Sequence, residues 1–286
     1  MLFLNKDKWT YNEQTSFYIG ENNAKKTAFS DEQQNGLLDL EADSWWFSYR
    51  AQVIIDKMDR FFDKLKITLD VGGGNGYTSG KAQKSGYKMG LIEPSFTACK
   101  NAKHRKIDTV CCGTVTDDSI YDSSIDQMLL LDVLEHIEDD RAFLKLLKNK
   151  LTDNGFLLIT VPAFMCLWSS EDVSAGHYRR YRLKELCSLI KKIGFRIRYK
   201  SYFMSFLFIP ILVIRVLFEK IGIIKSQEAC TAEEQKKIAI SQFKKRKGIV
   251  NLVLEMFENL EKSLMKNNNA IPFGTSIIVV AQKRKG

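Results

Sequence analysis

The stretch from Leu69 to Gly76 constrains the fold of this chain more than any other. It reads Leu-Asp-Val-Gly-Gly-Gly-Asn-Gly and follows a hydrophobic run that predicts a β-strand. Asp70 is followed by glycines at alternate positions, Gly72, Gly74 and Gly76. Because glycine permits positive φ and adds no Cβ, such a turn brings backbone N–H groups and a carboxylate close to a ligand. The stretch therefore predicts a strand, turn and helix that bind a nucleotide-like molecule.

Two phosphate-binding patterns do not fit this turn. The dinucleotide fingerprint Gly-x-Gly-x-x-Gly needs a third glycine, but that position is Tyr77 or Ser79, depending on the glycine chosen as the first. The P-loop needs a Ser or Thr after Gly-Lys, and Ala82 stands there. A Rossmann-type oxidoreductase that uses NAD(P) is therefore disfavoured and is kept as a lesser alternative.

After residue 60, strand and helix patterns alternate along the chain. Strands are predicted at 67–71, 87–93, 108–112, 127–132, 155–161 and 195–202, with a last strand after residue 272. This alternation predicts a parallel sheet covered by helices on both faces, with ligands beyond the carboxyl ends of the strands. Glu93 ends the second of these strands, 17 residues after Gly76. An acid at the end of this strand in nucleotide-binding folds accepts hydrogen bonds from ribose hydroxyls. Thr114 and Asp132 also lie at carboxyl ends of predicted strands, so they are expected near the same ligand.

The glycine turn resembles motif I of the class I S-adenosylmethionine (SAM)-dependent methyltransferases. The segment Leu129–Asp140, with its Leu-Glu-His sequence, is similar to the one beside the methyl-transfer site in methyltransferases of ubiquinone biosynthesis. The resemblance covers about residues 45–200 and the last strand. It implies an α/β, doubly wound, seven-stranded sheet of the Rossmann-like methyltransferase type, with the last strand antiparallel.

The same resemblance implies SAM as the cofactor and a set of residues that bind it. These cofactor-binding residues are Asp70, Gly72, Gly74, Gly76, Glu93, Thr114 and Asp132. Thr114 stands where many relatives carry an Asp that contacts adenine.

Methyl transfer needs a positioned acceptor and a group that removes its proton. His136 is predicted as a general base, with a structural or cofactor-contacting role as the alternative. The candidates for contact with the acceptor lie in an aromatic N-terminal segment and in the Gly-His-Tyr-Arg-Arg-Tyr segment at 176–181. They are Trp46, Arg50, His177, Arg180 and Tyr181. Arg180 suits an anionic acceptor, whereas Trp46 and Arg50 are expected either in a lid over the cofactor or in a helix that packs on the sheet.

Charge and cysteine content limit the partners. The 286-residue chain has a formal net charge of +9, which favours nucleic acid or anionic lipid. No base-flipping motif accompanies the glycine turn, so nucleic acid is disfavoured. The six cysteines include no Cys-x-x-Cys pair and no nearby histidine at ligand spacing, which predicts reduced thiols in the cytoplasm and no metal site.

The sequence divides into four parts: an N-terminal helical or lid segment at 1–60, a SAM-binding core at 61–202, a hydrophobic helical insertion at 203–271, and the last strand with a basic tail at 272–286. The apolar run within 203–219 is too short to span a membrane. A membrane-surface helix, a cap over the acceptor, a dimer face and core packing all remain open for it.

These features predict a SAM-dependent methyltransferase that acts on a small-molecule or lipid-linked acceptor, at oxygen in preference to other atoms. The enzyme is expected in the cytoplasm, with peripheral contact to a membrane. The alternative from a different class is a non-catalytic SAM-binding or membrane-surface module.

Overall fold

The computed structural model describes residues 3–21, 31–116, 118–213, 249–266 and 269–285. The strands are β1 Trp9–Asn12, β2 Phe17–Gly20, β3 Ile67–Val71, β4 Lys88–Glu93, β5 Thr109–Cys112, β6 Ile125–Leu131, β7 Leu151–Pro162, β8 Phe195–Phe203 and β9 Ser276–Lys283. The helices are α1 Asp31–Asp43, α2 Trp45–Phe61, α3 Tyr77–Lys84, α4 Phe96–His104, α5 Asp140–Lys150, α6 Ser170–Ser174, α7 Leu183–Ile193, α8 Phe208–Ile211 and α9 Ile249–Lys266.

The strands form one sheet in the order β1-β2-β5-β4-β3-β6-β7-β9-β8. Strand β9 is antiparallel to both of its neighbours, β7 and β8, whereas β3 to β7 pair in parallel. The predicted α/β class and the antiparallel last strand are confirmed.

The sheet has nine strands in the described residues, two more than the seven predicted. The additional strands, β1 and β2, form an antiparallel hairpin within the segment expected to be helical. Strand β2 extends the sheet by pairing in parallel with β5, with Ile19 opposite Cys112. Each strand has only four residues, too few for a period-two pattern to stand out from its polar surroundings.

Apolar residues cover both faces of the sheet. Leu91 and Ile92 are adjacent in β4, yet Ile92 packs in one buried cluster and Leu91 in the other. This follows from the alternation of side chains along a strand. Helices α5 and α7 contribute Leu144 and Leu186 to the first cluster, and α2 contributes Ile54 to the second. The sheet core is thus shielded from water on both sides, as a parallel sheet requires.

The carboxyl ends of β3, β4, β6 and β7 meet at one edge. The N–H of Gly72 donates to the carbonyl of Ile92 at 2.8 Å, and the N–H of Asp132 donates to that of Thr160 at 3.0 Å. These bonds hold the turns after β3 and β6 against the neighbouring strands. The predicted ligand-binding residues on these turns are therefore held in place by the sheet.

Helix α9 is fastened to the core through a buried carboxylate. Glu261 accepts a hydrogen bond from the Tyr49 hydroxyl at 2.6 Å and another from the Ser205 N–H at 2.8 Å. Lys57 adds a bond to the carbonyl of Met265 at 2.8 Å. Among the helices described, none combines the length and apolar character that crossing a membrane requires. Of the predicted membrane-contact segment 203–219, residues 214–219 lie outside the described part of the chain.

Candidate cofactor and acceptor site

The glycine turn has the conformation that its sequence predicts. Gly72 and Gly74 have φ of +72° and +53°, in the left-handed region that favours glycine. A Cβ on Gly72 would lie 2.6 Å from the Val133 side chain, whereas one on Gly74 would have no neighbour within 4 Å. The backbone at Gly74 is therefore accessible to a ligand on the side where a Cβ would lie. Gly76 also has positive φ and starts α3 as its N-cap.

Asp70 lies buried beneath this turn. One carboxylate oxygen, Oδ2, accepts a hydrogen bond from Ser79 Oγ at 2.6 Å. The other, Oδ1, is buried and has no hydrogen-bond partner among the described residues. Burial raises the pKa of Asp70 to about 6. Such an orphaned buried oxygen fits a ligand or water that carries a hydrogen-bond donor.

Glu93 closes the same site from the end of β4. Its carboxylate accepts the N–H of Gly74 at 3.0 Å and the N–H of Ser95 at 2.9 Å. Burial raises its pKa to about 7. These contacts bring the acid directly onto the glycine turn. The carboxylates of Asp70 and Glu93 are hydrogen-bond acceptors, and with the glycine turn they fit SAM, which carries an ammonium group and ribose hydroxyls.

Thr114 follows β5 and faces the N-terminal hairpin. It lines a small surface pocket together with Trp9 and Ser119. Trp9 fixes this region, because its indole N–H donates to the Ser119 carbonyl at 2.7 Å. A Cβ on Gly113 would lie 2.9 Å from the Trp9 ring. The hairpin that the sequence did not predict thus shapes the surroundings of this predicted adenine-contacting position.

Arg50, which is buried, forms an ion pair with the partly exposed Asp132 that joins α2 to the end of β6. The guanidinium also donates to the Thr160 hydroxyl at 2.6 Å and lies over the Trp46 ring, 5.3 Å from its centroid. Asp132 has a φ of +53°, which is uncommon outside glycine and marks a constrained backbone. The structure therefore brings together Asp132, Arg50 and Trp46, but Arg50 has its charge engaged inside the protein.

His136 and His177 meet at the end of β6. Their rings pack edge to face with centroids 4.7 Å apart. Burial, and then the neighbouring His177, lower the pKa of His136 to about 4. His136 is therefore neutral at physiological pH and a weak proton acceptor.

Glu135 lies close to both His136 and His177. Donor atoms of Glu135, His136 and His177 all fall within 4.8 Å of one another. Burial, and then the charge of Asp132, raise the pKa of Glu135 well above its usual range. We assign no metal to these residues, and the sequence-based prediction of no metal site stays a prediction.

The loop that carries His177 is organised by Asp172. The His177 Nδ1 lies 2.8 Å from Asp172 Oδ1, and the same oxygen accepts a hydrogen bond from Arg180 Nε at 2.8 Å. Arg180 also donates to the carbonyl of Ala163 at 3.3 Å. The sequence analysis did not single out Asp172. The one feature of the sequence that could have indicated Asp172 is its position five residues before His177. Such a spacing is equally typical of an acid on the surface.

Tyr181 belongs to the core around this loop. Its hydroxyl donates to Asp140 at 2.9 Å, and burial raises its pKa. Arg179 contacts the same carboxylate at 3.2 Å. These contacts join the 176–181 segment to the start of α5, and they place Tyr181 away from the role of a freely exposed acceptor contact.

A family model described as a methyltransferase domain matches residues 46–200, more than half of the chain. The match spans the glycine turn, Glu93, and both histidines. The chain belongs to this family. Its members use SAM as the methyl donor, so the predicted family and cofactor are confirmed.

Curated relatives support this assignment. A probable SAM-dependent methyltransferase of Mycobacterium tuberculosis, matched in two strains, is 23% identical over 161 residues, covering 55% of this chain and 58% of the relative. The chain thus spans less than two thirds of the length of the curated relatives that it matches.

Solved structures share the fold. Phosphoethanolamine N-methyltransferase 2 of Haemonchus contortus, in complex with SAM, has a TM-score of 0.56 at 16% identity, covering 91% of this chain and 59% of that one. The [4+2]-cyclase SpnF has a TM-score of 0.57 at 16% identity, covering 90% of this chain and 94% of that one. At such identities the likeness shows the fold alone.

Proposed function

We propose that this protein transfers the methyl group of SAM to a hydroxyl oxygen of a small-molecule or lipid-linked acceptor. The observation that carries the proposal is the cradle formed by Asp70, Gly74 and Glu93 at the carboxyl edge of the sheet. It combines an orphaned acidic oxygen, an open glycine backbone and a second acid. A sulfonium-bound methyl group is the chemistry that SAM supplies when it is bound there.

Each predicted cofactor residue has a distinct task in this proposal. Asp70 accepts hydrogen bonds from the amino group of the cofactor, directly or through water. Gly72, Gly74 and Gly76 let the backbone approach it closely. Glu93 exchanges its bond from the Gly74 N–H for bonds from the ribose hydroxyls, and Thr114 lies on the adenine side.

Asp132 acts within the proposed site through its pair with Arg50. The buried guanidinium and Thr160 hold this carboxylate at the end of β6. Because loss of Asp132 would leave the buried Arg50 charge uncompensated, the pair favours a fixed position of the adjoining turn. His136 lies on that turn and lines the acceptor side.

The acceptor side favours a neutral hydroxyl over an anionic group. Arg50 already pairs with Asp132, and Arg180 already pairs with Asp172. Both guanidinium groups are buried, so neither offers an uncompensated charge to a phosphate or carboxylate.

Exposed apolar side chains on α9 support a lipid-linked acceptor. Leu252, Met256 and Leu260 follow one another at four-residue spacing and are exposed by 67%, 59% and 56%. Residues at this spacing share one helix face. Such a face suits contact with lipid at a membrane surface, and we propose a cytoplasmic protein with peripheral membrane contact on this basis.

The test is methyl transfer from SAM labelled with tritium in its methyl group. The protein is incubated separately with a total lipid extract and with a total polar extract, and products are separated by chromatography. We expect a labelled product from the lipid extract. Chemical analysis of that product should find the label in an O-methyl group and not in an N-methyl group. The Asp70→Asn variant should lose the label. Binding of SAM without label in either extract would contradict the proposal and favour a non-catalytic SAM-binding module.

A further inference from the structure

We propose that His177, oriented by Asp172, accepts the proton of the acceptor hydroxyl. This inference rests on the proposed function and assigns to His177 the role that the sequence pattern favoured for His136. It makes His177 a catalytic residue and Asp172 a positioning residue.

The geometry around Asp172 fixes which nitrogen of His177 is available. The Asp172 carboxylate is buried, yet three groups bond to it: His177 Nδ1 at 2.8 Å, Arg180 Nε at 2.8 Å and the N–H of Ser169 at 3.0 Å. Burial alone would raise the pKa of Asp172, but the bonds from His177 and Arg180 outweigh it and hold that pKa below its ordinary value. An ionised carboxylate only accepts hydrogen bonds.

It follows that Nδ1 of His177 carries the proton in the neutral imidazole. The second nitrogen, Nε2, then presents a lone pair. A carboxylate that fixes the tautomer of a histidine also stabilises the cation formed when the other nitrogen takes a proton. Arg180 keeps the carboxylate in place by bonding to the same oxygen as the imidazole.

His177 is held at the carboxyl end of β6, where the acceptor is expected. The N–H of Tyr178 donates to the Glu135 carbonyl at 2.8 Å, joining this loop to the turn that carries His136. The His177 ring contacts that of His136 at a centroid distance of 4.7 Å. The loop after β7 is thereby fixed against the turn after β6.

The charged and titratable groups around this imidazole come from three elements. Asp172 of α6 and Arg180 of the following loop lie on the Nδ1 side. Glu135 and His136 face it from the turn after β6. Burial keeps His136 neutral with a pKa of about 4. His177, by contrast, bonds through Nδ1 to the Asp172 carboxylate.

The transfer step balances with the groups present. The acceptor oxygen forms a bond to the methyl carbon as the carbon–sulfur bond breaks, and that electron pair stays on sulfur. The hydroxyl proton moves to Nε2 of His177. The products are a methyl ether, S-adenosylhomocysteine (SAH) and a His177 imidazolium paired with the Asp172 carboxylate.

The first test reads the tautomer without any acceptor. The chain has only three histidines, so ¹⁵N-histidine labelling gives three ring systems that single His→Gln variants assign. In the protein with SAH, we expect His177 at pH 8 to carry its proton on Nδ1. In Asp172→Asn that preference should be lost. A proton on Nε2 of His177 in the wild-type protein would overturn the inference, whether or not the protein transfers methyl groups.

The second test uses the extract that gives labelled product. We expect His177→Gln to lower kcat about 100-fold or more with SAH affinity within twofold of wild type, and Asp172→Asn to lower kcat about 10-fold or more. In His177→Gly, added imidazole should restore part of the rate, which a purely structural role would not allow. His104→Gln, at an exposed position at the end of α4, is the control and should keep the wild-type rate.

The two proposals fail in different ways. Labelled product formed at the wild-type rate by His177→Gln would overturn the role of His177 and leave the methyltransferase function standing. Absence of labelled product from wild-type protein, together with absence of SAH binding, would overturn the proposed function itself.

Discussion

Replacing Glu93 by glutamine should stabilise the cofactor-free protein above pH 7 and weaken its binding of SAH. Burial raises the pKa of Glu93 from 4.5 to about 7, against the opposing effect of hydrogen bonds from the Ser95 and Gly74 N–H groups. A carboxyl group with a higher pKa in the folded than in the unfolded chain binds more protons when folded. Its contribution to the free energy of unfolding therefore falls as pH rises from about 4.5 to about 7.

The size of the effect follows from that pKa difference. At about 1.4 kcal/mol for each pH unit, the change from 4.5 to about 7 corresponds to about 3 kcal/mol above pH 7. At pH 5 the same reasoning leaves a difference below about 1 kcal/mol. Glutamine resembles the neutral acid in shape and does not ionise, so Glu93→Gln should recover this free energy at pH 8.

Urea unfolding followed by circular dichroism, at pH 5 and pH 8 without cofactor, measures the difference. Glu138→Gln removes the same charge at an exposed position and should leave the stability within about 0.5 kcal/mol of wild type. Calorimetric titration with SAH should show affinity about 10- to 100-fold lower for Glu93→Gln, because hydrogen bonds to a charged acceptor contribute about 1.5–3 kcal/mol. A variant no more stable than wild type at pH 8 would refute the burial argument. Unchanged SAH affinity would refute the ribose contact.

Two further substitutions separate cofactor binding from stability. Gly74→Ala adds a methyl group to the open face of the turn at a φ of +53°, so we expect at least a 10-fold loss of SAH affinity with only about 1–2 kcal/mol of destabilisation. Gly80→Ala, inside α3, should keep the affinity, and equal losses in both would contradict the cradle. Glu261→Ala removes the acceptor for a tyrosine hydroxyl and backbone N–H groups, so it should destabilise by about 3 kcal/mol or more and speed hydrogen exchange in α9. Glu255→Ala, at an exposed position on the same helix, should neither destabilise the protein nor speed hydrogen exchange. Equal exchange rates in the two variants would contradict the role of Glu261 in holding α9 on the core.

Regular elements with strong local patterns could be predicted from the sequence. Strand β3 has the predicted bounds, 67–71. An amphipathic pattern that ends at Gly194, with a φ of +105°, sets the end of α7. The hairpin of β1 and β2 depends instead on pairing with β5, whose residues lie about 90 positions away. No local pattern encodes that contact.

In the candidate site, too, some features follow from local sequence patterns and others depend on contacts between distant residues. The location of Asp70 and Glu93 at one edge of the sheet could be predicted, because the carboxyl ends of neighbouring parallel strands lie at the same edge. The environment of Arg50 could not be predicted, because its partner Asp132 comes from a distant strand and neutralises a charge that looked available. Asp172 was not predicted as a site residue, because only its contact with His177 in the folded protein indicates a role for it.

Calorimetric titration of the wild-type protein with SAH tests the central claim most directly. The cradle of Asp70, the glycine turn and Glu93 predicts saturable binding with one molecule per chain, strongly weakened in Asp70→Asn. NAD⁺ and NADH should give no comparable heat, since the third glycine that supports a pyrophosphate is absent. Absence of SAH binding by folded wild-type protein, or saturable binding of a nicotinamide dinucleotide in its place, would contradict the account.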